Sequence, residues 1–324
     1  MIDKSQIAKP VATEFEQFKV NFAEVLHSEV PLLQSAIKQI LSSNGKHIRP
    51  LLLFLTAKAC GKPTKMTHEL AIIIEVLHTT TLIHDDVVDD TKQRRGVPSL
   101  NAIFDNRIAV LTGDYMLAGT ILRATKMGNI AIIEIIARVC RELSEGELMQ
   151  LDNVERHSMN EEEYLKMIDK KTATLISACS EIGAISAGAS QETVKQCSQF
   201  GKYLGYCFQI KDDIFDYYDD VNIGKPTGND IREGKITMPL LYALKNAPVT
   251  EADYYTKIIN DQDYTTENIA ALTDFAKRNG GIEYAEKRLM EYKQKAVEII
   301  NSFSESEART SLLLLANYIT ERTR

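Results

Sequence analysis

The chain has 324 residues, of which 44% are hydrophobic, so it can bury a substantial core without disulfide staples. Its net charge of −7 argues against nucleic acid as a partner, because phosphate backbones select basic surfaces. No C-x-x-C pair occurs among Cys60, Cys140, Cys179, Cys197 and Cys207. Their scatter through apolar segments predicts free thiols in a reducing, cytoplasmic compartment.

We expect neither a membrane-spanning segment nor a signal peptide in this sequence. No segment approaches the run of about 18 apolar residues that spans a bilayer. The first residues, MIDKSQIAKPVATEFEQF, contain no apolar stretch that could serve as a signal peptide. We therefore expect a cytoplasmic protein without a transmembrane segment, with peripheral membrane contact left open.

Apolar residues recur at helical spacing along most of the chain. Clear helical segments cover residues 66–83, 108–122, 131–151, 161–187 and 283–303. Breaks with Gly, Pro or Asn fall at 61–63, 96–98, 128–129, 156–160, 223–229 and 279–281, and none is long enough to link two domains. Because period-two runs of β-branched residues are missing, the sequence predicts an all-α fold. We expect a single domain over residues 1–324.

The segment 108–122 is apolar on most of its faces. A helix of this kind is buried on all sides or lies at a subunit interface. We therefore expect a homodimer.

The acidic residues are concentrated in two clusters. One contains Asp85, Asp86, Asp89 and Asp90, and the other contains Asp212, Asp213, Asp216, Asp219 and Asp220. Without these nine, 36 acidic residues face 38 basic ones, so the clusters hold the whole acidic surplus. Each repeats the pattern D-D-x-x-D behind an apolar helical run, which places the first and last aspartate on one helix face. One such cluster alone is more often a solvated helix end, whereas two copies predict sites for hard cations.

Basic and polar residues accompany both clusters. Lys46 and Arg49 share a helix face, and Arg94 and Arg95 follow the first cluster. Taken singly each pair is typical of a surface, but together with carboxylate-bound cations they suit two diphosphate groups. Two further polar residues, His78 and Gln209, lie on the same helix faces as the aspartates that follow them.

The sequence resembles the trans-isoprenyl diphosphate synthases, in particular those that make medium- and long-chain polyprenyl diphosphates. The resemblance runs nearly end to end. It rests on GKHIRP at 45–50, HDDVVD at 84–89, RRG at 94–96, GDY at 113–115, KKTA at 170–173, FQIKDDIFD at 208–216 and GKPTGNDIREGK at 224–235. It implies a bundle of long helices around a deep central cavity, with the two aspartate motifs facing each other across its mouth.

The resemblance also implies roles for individual residues. Three magnesium ions per active site would be held mainly by Asp85, Asp89 and Asp212, supported by Asp86, Asp213 and Asp216. The diphosphate of isopentenyl diphosphate would be held by Lys46, Arg49, His78 and Arg95. The allylic diphosphate would be held by Arg94, Lys171, Thr172, Gln209, Lys225 and Lys235. No role follows for Asp90, Asp219 and Asp220.

These roles describe an ionisation reaction. Cations stabilise the departing diphosphate, the double bond of isopentenyl diphosphate attacks the allylic carbocation, and loss of a proton restores an alkene. An apolar cavity keeps water from the carbocation.

Product length depends on what precedes Asp85. Thr81 and Thr80 lie about 6 to 7.5 Å before it along the helix axis, where short-chain relatives place a bulky aromatic. Threonine leaves room, and Ile73, Ile74, Val76 and Leu77 would line the cavity farther on. Because the cavity should continue past these threonines, we predict a product well beyond about fifteen carbons, at about thirty to fifty. Alternatively, the two threonines only bond to carbonyls one turn back.

Other functions are less well supported. A short-chain farnesyl or geranylgeranyl diphosphate synthase differs only in product length. A His-Asp metal phosphohydrolase could use His47, His84 and Asp85, but only His157 follows them and the second cluster would be unexplained. A class I terpene cyclase normally mixes Asn, Ser and Glu in its second motif. A non-catalytic synthase subunit would tend to lose aspartates that are intact here.

Overall fold

The computed structural model describes residues 3–42, 45–157, 160–218 and 228–322. Within these ranges the chain is almost entirely helical, which confirms the predicted all-α class. The helices are α1 (Lys4–Ala8), α2 (Ala12–Val25), α3 (Pro31–Ser42), α4 (Ile48–Cys60), α5 (Lys65–Val88), α6 (Leu100–Ile103), α7 (Asn106–Lys126), α8 (Ile130–Arg156), α9 (Glu161–Ile168), α10 (Thr174–Ser186), α11 (Gln191–Phe215), α12 (Asn229–Arg232), α13 (Met238–Asn246), α14 (Val249–Asn260), α15 (Thr266–Arg278), α16 (Gly281–Asn301) and α17 (Glu307–Glu321).

The predicted helical segments are helical, with boundaries that differ in two informative places. Helix α5 continues five residues beyond the predicted end at residue 83 and therefore carries the first aspartate cluster on its last turn. The predicted helix 161–187 is instead α9 and α10, separated by one π-helical turn over Asp169–Ala173. Such turns are frequent at functional sites, and this one contains the KKTA motif.

The long helix α5 lies in the middle of the core. Thr64 begins it with a capping box, in which its side chain and that of Thr67 each accept from the other's backbone N–H. Helix α5 packs against α4, α7 and α10, and α10 in turn packs against α11. Because α5 is covered on several sides, its residues are buried around most of its circumference rather than along one stripe.

A small antiparallel hairpin follows the first aspartate cluster. Its strands are β1 (Gln93–Arg94) and β2 (Val97–Pro98), the only sheet within the described ranges. The two turn residues, Arg95 and Gly96, both have positive φ, at 54° and 79°. That conformation matches the twist of a tight hairpin. Strands of two residues are too short to give a period-two pattern, so the sequence did not predict them.

No helix in the described ranges combines the length and the apolar character needed to cross a membrane.

Candidate active site

Asp85 lies on the last turn of α5, at the mouth of a cavity of about 410 Å³ between α5, α7 and α8. Burial raises its pKa to about 6, and the negative charges of Glu147 and Asp89 act in the same direction. Asp89 follows one turn later as the C-cap of α5. The two carboxylates therefore stand together at a rim where negative charge is costly without a cation.

Asp86 points to a different face of α5 and forms hydrogen bonds with other parts of the protein. Its carboxylate accepts a hydrogen bond from Arg94 Nε at 2.6 Å, and its backbone carbonyl accepts one from Asn101 Nδ2 at 3.0 Å. Asp86 thereby fixes the hairpin, which presents Arg94 and Arg95 beside the aspartate cluster. The fourth aspartate, Asp90, forms an exposed ion pair with Lys92.

The second cluster lies at the end of α11. Asp212 Oδ1 is 2.7 Å from Arg322 Nη2, at the end of α17. Burial raises the pKa of Asp212, while Arg322, Lys46 and Arg49 act in the opposite direction.

The next two aspartates of this cluster are held by protein donors. Asp213 accepts from Tyr164 Oη at 2.6 Å and from Gln209 Nε2 at 2.8 Å, and its burial raises its pKa to about 7. Asp216 accepts from the backbone N–H groups of Asn229 and Asp230, each at 3.0 Å. Asp213 and Asp216 thus brace α11 against α9 and α12. Asp219 and Asp220 lie outside the described residues.

The KKTA motif is brought to the site by the π-helical turn. Lys171 Nζ is 2.6 Å from Glu147 Oε2 and donates to Gln150 Oε1 at 3.0 Å, so it is held against α8. Thr172 Oγ1 donates to Gln209 Oε1 at 2.6 Å, which links the turn to α11.

Two glycines let neighbouring helices approach this turn closely. A Cβ on Gly146 would lie 2.4 Å from the Lys171 backbone nitrogen, and one on Gly205 would lie 2.4 Å from Ala173 Cα. Any larger residue would push the turn away from α8 or α11.

Lys235 connects the region after α12 to the first cluster. Its ammonium lies 3.8 Å from Asp89 Oδ1 and pairs at 2.5 Å with Glu233 Oε2. The structure therefore brings Lys235, Asp89 and Asp85 to one side of the site. Lys225 lies outside the described residues.

The predicted site for isopentenyl diphosphate is built on the start of α4 and the middle of α5. Arg49 Nη1 lies 3.0 Å from His78 Nε2. Burial and the nearby cations Arg49 and Arg95 hold the pKa of His78 well below its usual value, so the ring is neutral and its Nε2 accepts from the guanidinium. A Cβ on Gly45 would lie 2.8 Å from Arg95 Nη1, so this glycine lets the hairpin approach the GKHIRP segment.

His47 anchors the same segment. Its Nδ1 is 2.6 Å from Glu75 Oε1, and its ring packs edge-on against Phe18 and Phe22. The backbone of His47 is left-handed, with φ at 47°, a strained conformation for a residue other than glycine. These contacts fix the direction in which Lys46 and Arg49 leave the chain.

Thr80 and Thr81 both line the 410 Å³ cavity that opens at Asp85. Their hydroxyls also donate to carbonyls one turn back, Thr80 to Val76 and Thr81 to His78. Lining the cavity and bonding to the helix are therefore compatible, because the hydroxyl faces the helix while the rest of the side chain faces the cavity.

The deeper wall of this cavity differs from the one predicted. Leu77 lines it as expected, but Ile73, Ile74 and Val76 do not. Ile73 and Ile74 are buried in the core, and Val76 faces another cavity between α5 and α7. The remaining apolar wall comes from α7 and α8, through Leu117, Cys140 and Leu143.

The carboxylates of the two clusters suit magnesium as oxygen donors. Within the part of the chain that the structure describes, no three or more His, Cys, Asp or Glu side chains are grouped closely enough to hold a metal ion.

The family model described as polyprenyl synthetase matches residues 30–275, most of the chain. The chain belongs to the polyprenyl synthetase family. This confirms the family predicted from the motifs and, with it, the prenyltransferase class of enzyme. The component 2 of heptaprenyl diphosphate synthase from Bacillus subtilis is 35% identical over 92% of this chain and 85% of that protein.

Solved structures agree over nearly the whole chain. A decaprenyl diphosphate synthase from Rhodobacter capsulatus is 33% identical, with a TM-score of 0.93 and 99% of both chains covered. A geranylgeranyl pyrophosphate synthase from Bacteroides thetaiotaomicron is 40% identical, with a TM-score of 0.85, over 98% of this chain and 99% of that one. These relatives differ in the product that each is named for.

The histidines of the phosphohydrolase alternative do not converge. His84 packs against α7, where a Cβ on Gly113 would lie 2.2 Å from its Nε2. His47 pairs with Glu75 at a separate place. The glycine of the GDY motif thus has a packing role, because it leaves room for the His84 ring between α5 and α7.

Several side chains at the site were not predicted. They are Glu75, Glu147, Tyr164, Asp230 and Arg322. Glu75 could have been found from the sequence, because it is the single charged residue in the apolar run AIIIEVL. Glu147 and Gln150 lie three residues apart, a spacing that puts both polar side chains on one helix face. Tyr164 and Arg322 have no local pattern, because their partners lie on the distant helix α11. Asp230 lies within the motif GKPTGNDIREGK, but no role was predicted for it.

Proposed function

We propose that the protein is a magnesium-dependent trans-polyprenyl diphosphate synthase that condenses isopentenyl diphosphate head-to-tail with an allylic diphosphate. The observation that carries this proposal is the apolar cavity that opens at Asp85 and is walled by Thr80 and Thr81. It offers room for a growing hydrocarbon directly below the first aspartate cluster. We propose an all-trans product of about thirty to fifty carbons, because Thr80 and Thr81, about one helical turn before Asp85, are small and leave the cavity open.

The two diphosphates would be held by two different groups of residues. Lys46, Arg49, His78 and Arg95 would hold isopentenyl diphosphate. Support comes from the His47–Glu75 and Arg49–His78 contacts, which tie the start of α4 to α5. The allylic diphosphate would be held by Arg94, Lys171, Thr172, Gln209, Lys225 and Lys235. Glu147 and Gln150 already hold Lys171 in place for it.

Asp85, Asp89 and Asp212 would hold the magnesium ions, three per site. When bound, magnesium would neutralise the allylic diphosphate and make it a better leaving group. The supporting aspartates act through structure: Asp86 fixes the hairpin, Asp213 fixes Gln209, and Asp216 fixes α12. The apolar walls of the cavity would keep water from the carbocation.

We also propose that one domain spans residues 1–324, in the cytoplasm, as a homodimer. The support for a dimer is an exposed apolar face of α7. Leu111, Tyr115 and Leu122 lie on one side of this helix and are 66%, 45% and 56% exposed. Apolar area of this kind on an otherwise folded chain suits a subunit interface. Peripheral contact with a membrane would serve product release.

Mass spectrometry of the products from purified protein tests the proposal, using magnesium, isopentenyl diphosphate and farnesyl diphosphate. A series of long polyprenyl diphosphates would support it. Products that stop at geranylgeranyl length would favour the short-chain alternative, for which the 40% identical relative speaks. No condensation by a folded protein, with or without added subunits, would contradict the proposal.

A further inference from the structure

The thiols of Cys60 and Cys197 are in contact, although 137 residues separate them in the chain. Their Sγ atoms are 3.6 Å apart. Cys60 is the last residue of α4 and is half-buried, and Cys197 lies in the first two turns of α11 and is fully buried. We propose that this pair is a disulfide-forming site that reacts with low-molecular-weight disulfides such as oxidised glutathione.

The geometry needs only a small adjustment. A disulfide has an S–S length of about 2.05 Å, so the sulfur atoms must approach by about 1.6 Å. Cys60 ends its helix, and the connection after it, residues 61–64, is not helical. Cys197 lies inside the long helix α11. We therefore expect the two sulfur atoms to meet through movement of Cys60 at the end of α4 rather than of Cys197.

The two thiols differ in a way that makes Cys60 the group that attacks first. The hydrogen bond between the two thiols lowers the pKa of the Cys60 thiol, and the same bond together with burial raises the pKa of Cys197. Burial raises the pKa of each remaining thiol, to about 12 for Cys179 and Cys207. Cys60 is thus both partly exposed and the best thiolate former among the five.

The exchange has two steps. The Cys60 thiolate attacks one sulfur of oxidised glutathione, which gives a mixed disulfide and releases one glutathione thiolate. Cys197 then loses its proton and attacks Cys60 Sγ, which releases the second glutathione. Two protein thiols are oxidised, and one glutathione disulfide is reduced to two thiols.

The disulfide would cross-link α4 to α11 at a distance from the proposed active site. Cys60 lies eleven residues after Arg49, about 16 Å along α4, and Cys197 lies about 22 Å before Asp212 along α11. Turnover should therefore be unchanged. Because the bond closes a long loop in the unfolded chain, the oxidised protein should melt at a higher temperature, by about 3 to 6 °C.

The test is to incubate the native, reduced protein with oxidised glutathione well below its melting temperature. The expected product is lighter than the reduced protein by two hydrogens and gives a disulfide-linked Cys60–Cys197 peptide on digestion. It melts at a higher temperature and keeps its activity. Dithiothreitol should restore the original mass and melting temperature. Cys207→Ser should behave like the wild type, because this thiol is not near a second cysteine and does not line the cavity, while Cys60→Ser and Cys197→Ser should not form the bond. A glutathione adduct that stops at Cys60, another pairing, no reaction, or a lower melting temperature would each overturn the proposal.

Discussion

The Arg322 guanidinium and the Asp212 carboxylate form an ion pair at 2.7 Å that joins the end of α17 to the second aspartate cluster. Arg322 also donates to the Phe208 carbonyl at 3.0 Å and lies over the Phe208 ring, 4.2 Å from its centroid. The pair places a positive charge on a carboxylate that the proposed function assigns to magnesium. Arg322 and magnesium should therefore compete for Asp212.

Replacing Arg322 with Met tests this competition. Met keeps apolar contact with Phe208 but removes the charge, so half-maximal activity should need less magnesium, by up to about fivefold for a pair worth about 1 kcal/mol. The Asp212 side chain is 40% exposed, so the loss of stability should be about 1 kcal/mol or less. Arg107→Met is a matched control, since that side chain is 89% exposed. Unchanged magnesium dependence in Arg322→Met would contradict the competition.

Asp85 should make the stability of the protein depend on pH. Its pKa of about 6 in the folded state lies above the unfolded value of 3.8, so the folded protein binds this proton more tightly. The stabilisation is complete below pH 4 or so and is lost as the pH rises through about 6. Asn carries no charge at any pH, so the Asp85→Asn variant does not lose this stability as the pH rises. Its free energy of unfolding should therefore exceed that of the wild type by a margin that grows between pH 5 and pH 8, to about 1 to 2 kcal/mol after solvent screening.

Thermal unfolding in EDTA at several pH values measures this effect. Asp90→Asn is the control, because the Asp90 side chain is 71% exposed and should give no such trend. With magnesium and substrates, Asp85→Asn should lose at least about 100-fold in kcat. A variant that is less stable than the wild type at pH 8 would show that Asp85 is not crowded by negative charge.

The sequence predicted the helices and both aspartate clusters because each is a local pattern. Helical periodicity and D-D-x-x-D spacing can be read within about two turns of helix. It did not predict which aspartates are free, since Arg94, Tyr164 and Arg322 reach their carboxylates through tertiary packing. The sequence also did not predict the π-helical turn, because this turn depends on Gly146 and Gly205, which lie on two other helices.

Glu75 is expected to position the GKHIRP segment for isopentenyl diphosphate. It is only 4% exposed, and its Oε2 has no hydrogen-bond partner among the described residues, so its contact with His47 is what compensates its burial. A hydrogen bond to a charged group is worth about 1.5 to 3 kcal/mol. Glu75→Gln should therefore raise the KM for isopentenyl diphosphate by about tenfold or more, with a smaller change in kcat.

Steady-state kinetics with each substrate varied in turn separates positioning from general damage. The KM for the allylic diphosphate should stay unchanged in Glu75→Gln, because Lys171 and Thr172 are held by other helices. Glu69→Gln is the matched control on the same helix, where the carboxylate pairs with Arg123 and is 48% exposed. Equal rises in both KM values would mean that Glu75 only supports the fold.

Thr80→Tyr should shorten the product. Thr80 is 2% exposed and lines the cavity below Asp85, together with Leu117 and Leu143 on the opposite wall. A tyrosine ring directed there would fill the space that a growing chain needs, yet it leaves the aspartates and the cationic groups in place. The first condensation should persist at a similar rate, while products beyond the first additions disappear from the mass spectrum.

The hydrogen bond of Thr80 to the Val76 carbonyl, at 3.0 Å, offers a competing explanation for any change at this position. Thr80→Val has nearly the same shape and removes only that bond, so its products should stay long if cavity volume sets the length. If Thr80→Val shortened the products as much as Thr80→Tyr does, the hydroxyl and the helix geometry that it supports would be the cause. If a folded and active Thr80→Tyr enzyme kept the wild-type distribution, the growing chain would have to run elsewhere. The deciding quantity is therefore the difference between the two variants, because only the tyrosine adds volume to the cavity.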